Sequence, residues 1–205
     1  MLDAVLIQQC ADPSLKPAIV ERFVAAAGSA NPLEITVKSG GRLILVPKAT
    51  SSDEAMAIVR QYVGQAVVRV GLTQFPAGVG VKDAADLKPD LVDPCENLRK
   101  GTAMFAKVLR IVAKWYGNPM SDDGVTQVFE DAVYAWKTGE FEGVSVFQAE
   151  DPGGPIENRR EPTDSEETDA ADEQASSPTG VEPAEEKEIG AAGMRVDLSR
   201  IGGQK

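Results

Sequence analysis

The sequence has no histidine, only two cysteines, and no apolar run long enough to span a membrane. Without histidine, Ser-His-Asp and Cys-His catalysis are excluded, as is any histidine-ligated metal. Two cysteines are too few for a four-cysteine zinc site or a disulfide-rich mini-protein. We therefore expect no metal, no cofactor and no transmembrane segment. The N-terminus also lacks the basic and long apolar regions of a signal peptide, which makes the cytoplasm the default location.

The acidic residues are concentrated in one segment. The net charge is −11, and residues 150–193 alone hold 14 acidic and 3 basic side chains. This stretch is rich in Pro, Gly, Ser and Thr, and it has too few apolar residues to offset its chain entropy. We predict a disordered acidic linker over residues 148–193, which also argues against direct nucleic-acid binding through phosphate contacts.

A different pattern follows the linker. Residues 194–205 begin with Met194–Ile201, in which apolar and charged residues alternate. A short basic and apolar peptide at the end of a long arm is typical of a docking motif, although an inert terminus has the same composition. The candidate partner-binding residues are Arg195, Asp197, Leu198, Arg200 and Ile201.

Residues 1–147 carry the periodic apolar pattern of a packed domain. The spacing predicts five helices: one ending near Cys10, one capped by Ser14 and ending at Gly28, one capped by Ser51 or Ser52, one over 97–116, and one from Ser121 or Asp122 to Gly139. Strands Ile35–Val37 and Leu43–Val46 flank two glycines and predict a hairpin. Residues 67–81 are ambiguous between strand and loop. The expected fold is mainly α with a small β-hairpin, and both tryptophans, Trp115 and Trp136, are expected in the core.

The order of several short motifs resembles a known family. These are Val70-Gly-Leu-Thr-Gln-Phe75, Asp93-Pro-Cys-Glu-Asn-Leu98 with Gly101, and Ala135-Trp-Lys-Thr-Gly139, preceded by Cys10-Ala-Asp-Pro, Asn31-Pro and Gly40-Gly-Arg-Leu. Over roughly residues 5–142 the series is similar to the lytic transglycosylases of type IV secretion systems. That resemblance implies a lysozyme-like α+β domain acting on peptidoglycan.

The chain departs from this family where the chemistry lies. The position of the family's catalytic Glu, which protonates the glycosidic oxygen, is Ala27. Alanine cannot transfer a proton, so the resemblance implies a pseudo-enzyme whose relic groove is lined by Gln74, Trp136 and Thr138. The alternative is an active lyase that uses another carboxylate, with Glu21 or Glu34 as candidates.

The whole chain, including the acidic linker and its tip, is also similar to the TraH conjugal transfer proteins of rhizobial-type plasmids. The resemblance implies an accessory role in conjugation, with type IV secretion proteins as partners and peptidoglycan as a further candidate. We expect a catalytically inactive binding or scaffold module. A second alternative is a cytoplasmic adaptor, or a substrate exported through the secretion channel, whose C-terminus docks to the coupling protein.

The two cysteines have two interpretations. In secreted transglycosylase-like relatives, the positions equivalent to Cys10 and Cys95 would suit a disulfide between the first helix and the loop before the long helix. In the cytoplasm the same residues are expected to be buried thiols, and the lack of a signal peptide favours thiols.

Overall fold

The computed structural model describes residues 3–154 as an α+β domain in which about half of the residues are helical and pack around a small antiparallel sheet. The predicted residues 155–193 of the linker and the whole C-terminal motif, Arg195 to Ile201 included, lie outside the described residues. The elements in chain order are α1 (Ala4–Cys10), α2 (Pro17–Ala27), β1 (Ile35–Ser39), β2 (Arg42–Ile44), α3 (Ser52–Tyr62), β3 (Val67–Val70), β4 (Phe75–Pro76), two 3₁₀ turns (Ala84–Asp86 and Pro89–Leu91), α4 (Pro94–Trp115), α5 (Asp122–Thr138), β5 (Glu140–Phe141) and β6 (Val144–Ser145).

The four-stranded sheet has the order β2-β1-β3-β4, with every neighbouring pair antiparallel. Its first two strands form the predicted hairpin, which is confirmed. Gly40 and Gly41 make the turn with φ of 55° and 78°, a conformation that glycine adopts without steric cost. The ambiguous region after residue 67 supplies two more strands, with Val70 opposite Ile35 on β1. The sheet is therefore larger than the hairpin predicted from sequence.

The predicted helix caps are partly confirmed. The Ser51 hydroxyl accepts a hydrogen bond from the Glu54 amide, while the Glu54 carboxylate accepts from the amide and hydroxyl of Thr50. These bonds stabilise the carboxylate and lower the pKa of Glu54. At the other end of the domain, α5 is capped by Ser121 and stops at Gly139, which has a φ of 87°.

The predicted cap of α2 is wrong. The helix begins at Pro17, and Lys16 is its N-cap residue without a side-chain bond. The hydroxyl of Ser14 instead donates to Asp12, within the short turn that connects α1 to α2. Pro17 accounts for the shift, because proline at the first helical position needs no partner for an amide hydrogen.

The core is built on aromatic contacts between α2, α4 and α5. The rings of Phe23 and Phe105 stack with centroids 3.9 Å apart, and Trp136 meets both of them edge-on at 5.2 and 6.1 Å. Trp136 is completely buried, so its predicted core position is confirmed. Trp115 is 56% exposed, so its predicted core position is wrong.

Packing continues past the boundary predicted at residue 147. Val146 is fully buried, and the Lys107 ammonium donates to the carbonyl of Phe147 at 3.1 Å. Four residues later, Asp151 forms an ion pair with Arg110 of α4. The chain therefore contacts the domain through residue 151, where the composition alone already suggested a linker.

Candidate functional site

The motifs that carry the family resemblance converge on Asn97, in the first turn of α4. Its amide is 1% exposed and makes four hydrogen bonds. The nitrogen donates to the carbonyls of Val70 and Leu91 at 3.0 and 2.8 Å, and the oxygen accepts from the amide and hydroxyl of Thr73 at 3.0 and 2.9 Å. These bonds satisfy all the donors and acceptors of the amide, so Asn97 joins the sheet to α4 and has no capacity left for a ligand.

Two motif glycines allow this close approach. A Cβ atom on Gly71 would lie 2.5 Å from the Asn97 side-chain nitrogen, and Gly71 also has a φ of +75°. A Cβ atom on Gly101 would lie 2.2 Å from the Thr73 hydroxyl. Both distances are shorter than any real contact, so glycine is required at both positions. These motif residues are explained by packing.

The predicted relic groove is not open to solvent. Trp136 is fully buried and its indole nitrogen donates to the Thr73 carbonyl at 3.0 Å, so it offers no face to a sugar. Gln74 is 8% exposed, and its amide donates to the Gly71 carbonyl of its own turn at 3.1 Å. Thr138 alone of the three is exposed, at the end of α5. Trp136 and Gln74 are therefore buried in the structure, and their role in a groove stays a prediction.

The position of the missing acid is the last residue of α2. Ala27 is half-buried there, and the following Gly28 packs so closely on Leu72 that a Cβ atom would lie 2.1 Å from the Leu72 carbonyl oxygen. The two alternative acids lie on different elements. Glu21 is exposed near the middle of α2, whereas Glu34 is half-buried just before β1. Neither lines the cavity between α2, α4 and α5 or the pocket beside the β5–β6 hairpin.

Arg69 is a buried cation that sequence analysis missed. It lies on β3, is 7% exposed, and donates to the carbonyls of Gln74, Trp136 and Lys137 at 3.2, 2.6 and 3.0 Å. Two of these carbonyls belong to the last turn of α5, where the helix dipole favours a positive charge. Burial lowers the pKa of Arg69 to about 10, which leaves it protonated at neutral pH. Arg69 therefore fastens α5 to the sheet.

The structure joins Cys10 and Cys95 in a disulfide, with their Cα atoms 5.1 Å apart. This is the connection that the transglycosylase resemblance implied, and it replaces the pair of thiols that the lack of a signal peptide favoured. The bond ties the end of α1 to the first turn of α4 across 85 positions of sequence.

A cavity lies between α2, α4 and α5, and we call it the basic-rimmed groove. Its volume is about 540 Å³. Apolar side chains form its floor, and three cations stand at its edge. The floor consists mainly of Ile19, Leu109, Ala113, Val125, Val128 and Phe129, and the cations are Arg22, Arg110 and Lys114.

Two of the three cations have defined contacts. The guanidinium of Arg22 lies 4.3 Å above the ring of Phe129. Arg110 holds the Asp151 carboxylate through two hydrogen bonds of 2.8 and 2.5 Å. This pairing lowers the pKa of Asp151 to about 2 and raises that of Arg110. The rim thus already binds one carboxylate, from the segment that ends the described chain.

A second pocket combines aromatic rings with carboxylates beside the β5–β6 hairpin. The Tyr116 hydroxyl donates to Asp131 at 2.6 Å, which raises the pKa of Tyr116. Tyr134, Glu140 and Glu142 complete one side of this pocket. The aromatic rings of Tyr134 and the nearby Trp115 are largely exposed. Aromatic rings beside carboxylates suit a cationic group. Water screens the carboxylates of Glu140 and Glu142, however, because both are exposed, whereas Asp131 is half-buried.

The basic-rimmed groove was not predicted from the sequence. A partial signal exists on α4, where Arg110 and Lys114 are four residues apart and adjoin the apolar pair Leu109 and Ala113. That pattern is also typical of an ordinary amphipathic helix. Only the fold brings Arg22 of α2 beside them.

No helix between residues 3 and 154 is long and apolar enough to cross a membrane. Over the same residues, acidic and cysteine side chains do not form a group suited to holding a metal ion.

These features define the class of the protein. It is an α+β domain with an apolar, cation-edged groove and a buried network of motif residues. The chain belongs to the TraH_2 family, whose model matches residues 1–203. It is 72% identical over 207 residues to the uncharacterized protein y4dP of Sinorhizobium fredii, a match that covers 99% of this chain and all of that protein. No solved structure matches the chain. The family membership associates the protein with conjugal transfer.

Proposed function

We propose that this protein is a non-catalytic binding module of the conjugal transfer apparatus. The observation that carries the proposal is the basic-rimmed groove, an apolar cavity bordered by the cations Arg22, Arg110 and Lys114, of which Arg110 already holds the Asp151 carboxylate. A cavity of this size and lining suits the capture of an apolar side chain, and the cations select neighbouring carboxylates.

The surroundings of Ala27 argue against glycoside cleavage. A lytic transglycosylase needs one carboxyl group that remains protonated until it reaches the glycosidic oxygen. The carboxyl groups whose pKa is shifted here, Glu54 and Asp151, are shifted downward by hydrogen bonds, the opposite of what a general acid requires. The buried Trp136 removes the sugar platform as well. A degenerate lysozyme-like domain that retained its packing motifs fits these features.

The ligand of the groove is a protein segment in which an apolar side chain stands next to one or more acids. Asp151 illustrates this mode, because its carboxylate already pairs with Arg110 at the rim. Lys114 is exposed and Arg22 stands over Phe129, so both are placed to receive further carboxylates. We assign this ligand to a protein of the secretion or conjugation apparatus.

In the second part of the proposal, the segment that follows Gly154 acts as an arm that carries the docking peptide of residues 194–205. Attachment to one partner through the groove raises the local concentration of a second partner that binds the peptide. Deletion of residues 194–205 is expected to lower the frequency of plasmid transfer. An unchanged frequency would remove this part of the proposal and leave the groove unaffected.

The Cys10–Cys95 disulfide favours contact with an oxidising compartment over the cytoplasm that we first expected, because cytosolic thiols are kept reduced. Export through the secretion channel is consistent with it. Alkylation of free thiols in intact donor cells distinguishes the two locations: a wholly alkylated pool would place the protein in the cytoplasm.

The groove is tested by charge reversal in the full chain. We expect the Arg22→Glu/Lys114→Glu variant to lose most plasmid transfer at unchanged protein level. The matched control is Lys48→Glu/Lys82→Glu, which changes two exposed lysines away from the groove and is expected to transfer normally. Equal transfer by both variants would contradict the proposed function.

A further inference from the structure

The described chain ends inside the basic-rimmed groove. Pro152, Gly153 and Gly154 form part of its border, and the preceding Asp151 is held by Arg110. The 51 residues that follow Gly154 therefore start at the groove. Any side chain within the next two or three positions is close enough to reach the floor, since each residue spans at most about 3.6 Å.

The backbone turns sharply at this point. Gly153 and Gly154 have φ values of 67° and 91°, which favour glycine, and the Asp151 carboxylate also accepts a hydrogen bond from the Gly153 amide at 3.0 Å. A carboxylate that binds both the rim and the turn fixes where the chain leaves the domain. Asp151 and the two glycines thus define the backbone up to Gly154.

The sequence places one apolar residue directly after this turn. Ile156 is the single large apolar side chain between residues 148 and 180, in a stretch otherwise composed of small, polar and charged residues. It is followed by the acidic Glu157. An apolar side chain next to a carboxylate is the chemistry that the apolar floor and basic rim select.

We propose that Pro155–Glu157 of this chain occupies the basic-rimmed groove, with Ile156 on the floor against Val128 and Phe129 and Glu157 beside Lys114. Asp151 and Glu157 then place carboxylates on either side of one buried isoleucine. The segment covers the surface through which, on the proposed function, the protein captures a partner. A partner segment must therefore displace Pro155–Glu157, and the groove is self-occupied in the free protein. The docking itself is measured without a partner, so its failure is distinguishable from failure of the proposed function.

Methyl NMR of the purified full chain tests the contact directly. With labelled isoleucine methyl groups, we expect nuclear Overhauser effects between the Ile156 methyl and the Phe129 ring. A sample that mixes differently labelled chains separates contacts within one chain from contacts between copies. Effects seen only between chains would assign the groove to a second copy and overturn the proposal. An Ile156 methyl without any contact to Phe129 or Val128 would overturn it as well.

A pair of matched variants tests whether Ile156 covers the groove. Anilinonaphthalene sulfonate, an apolar dye with a negative charge, suits this cavity and serves as the probe. We expect Ile156→Asp to bind several-fold more dye than the native chain, and Ile189→Asp, the same change farther along the arm, to bind no more. Both variants should remain folded, and only Ile156→Asp should melt at a slightly lower temperature, because it loses the apolar contact with the groove floor. Equal dye binding by all three proteins would show that Ile156 does not cover the groove.

Discussion

Gly71 and Asn97 are packed so tightly that a methyl group on Gly71 would lie 2.5 Å from the Asn97 side-chain nitrogen. This contact connects the turn after β3 to the first turn of α4. Both residues belong to motifs that resemble those of lytic transglycosylases, and in the structure both serve the packing of the domain. These two motif residues are thus explained by packing, whichever residue stands at the position that the resemblance assigns to the catalytic acid.

Removal of the Asn97 amide should strongly destabilise the domain. Asn97→Ala leaves the Thr73 amide and the carbonyls of Val70 and Leu91 buried without these partners. We expect the free energy of unfolding to fall by about 3 kcal/mol, measured by urea denaturation. The control Gln61→Ala removes an exposed amide and should stay within about 0.5 kcal/mol of the native protein. A similar small effect for Asn97→Ala would contradict the packing role.

The two tryptophans should differ sharply in solvent access. Trp115 is 56% exposed and Trp136 is fully buried. Acrylamide should therefore quench Trp115 fluorescence readily and leave Trp136 almost unquenched. Trp115→Phe removes the accessible component, and Trp136→Phe removes the protected one. Efficient quenching in Trp115→Phe would reopen the interpretation of Trp136 as a sugar platform.

The disulfide should contribute substantially to stability. Its ends are 85 positions apart, and the loop-entropy model gives about 4–5 kcal/mol for a loop of this length. Reductant is expected to lower the melting temperature of the native chain by roughly 10 °C, given the size of the domain. The double variant Cys10→Ser/Cys95→Ser should melt near the reduced value and be insensitive to reductant. A native chain that melts identically with and without reductant would show that the bond contributes nothing.

The pair Arg110–Asp151 should be lost in acid and in salt. The pKa of Asp151 is lowered to about 2, so the pair contributes fully above the ordinary value of 3.8 and is lost as the pH falls through 2. Both side chains are partly exposed, and salt should weaken the contact. Carboxyl NMR titration of Arg110→Gln is expected to return the pKa of Asp151 toward 3.8. An unchanged pKa in that variant would mean that Arg110 does not hold the segment.

Local sequence signals predicted most of the helices and the hairpin. Ser51, Ser121 and Gly139 mark helix ends through side-chain caps and a left-handed residue, which depend on neighbours along the chain. The paired glycines at residues 40–41 identified the hairpin for the same reason. The α+β class could be predicted, and the lysozyme-like architecture stays a proposal.

Features that depend on distant partners were missed. Trp115 continues the apolar stripe of α4, but it is the last residue of that helix and packs against Tyr116 and Phe141 with half of its surface exposed. Arg69 gave no signal, because two of its three acceptors are carbonyls of α5, more than 60 residues away. The basic-rimmed groove forms only where α2, α4 and α5 meet the segment that begins at residue 151. No local sequence pattern specifies such an assembly.

The most direct test of the central claim is the clearing of purified peptidoglycan by the full chain. The account predicts that the native protein leaves the turbidity of the suspension unchanged, because Ala27 cannot protonate a glycosidic oxygen. Co-sedimentation in the same samples reports whether the domain still binds the glycan. Clearing by the native chain that is lost in Glu21→Gln or Glu34→Gln would contradict the account and identify a working acid.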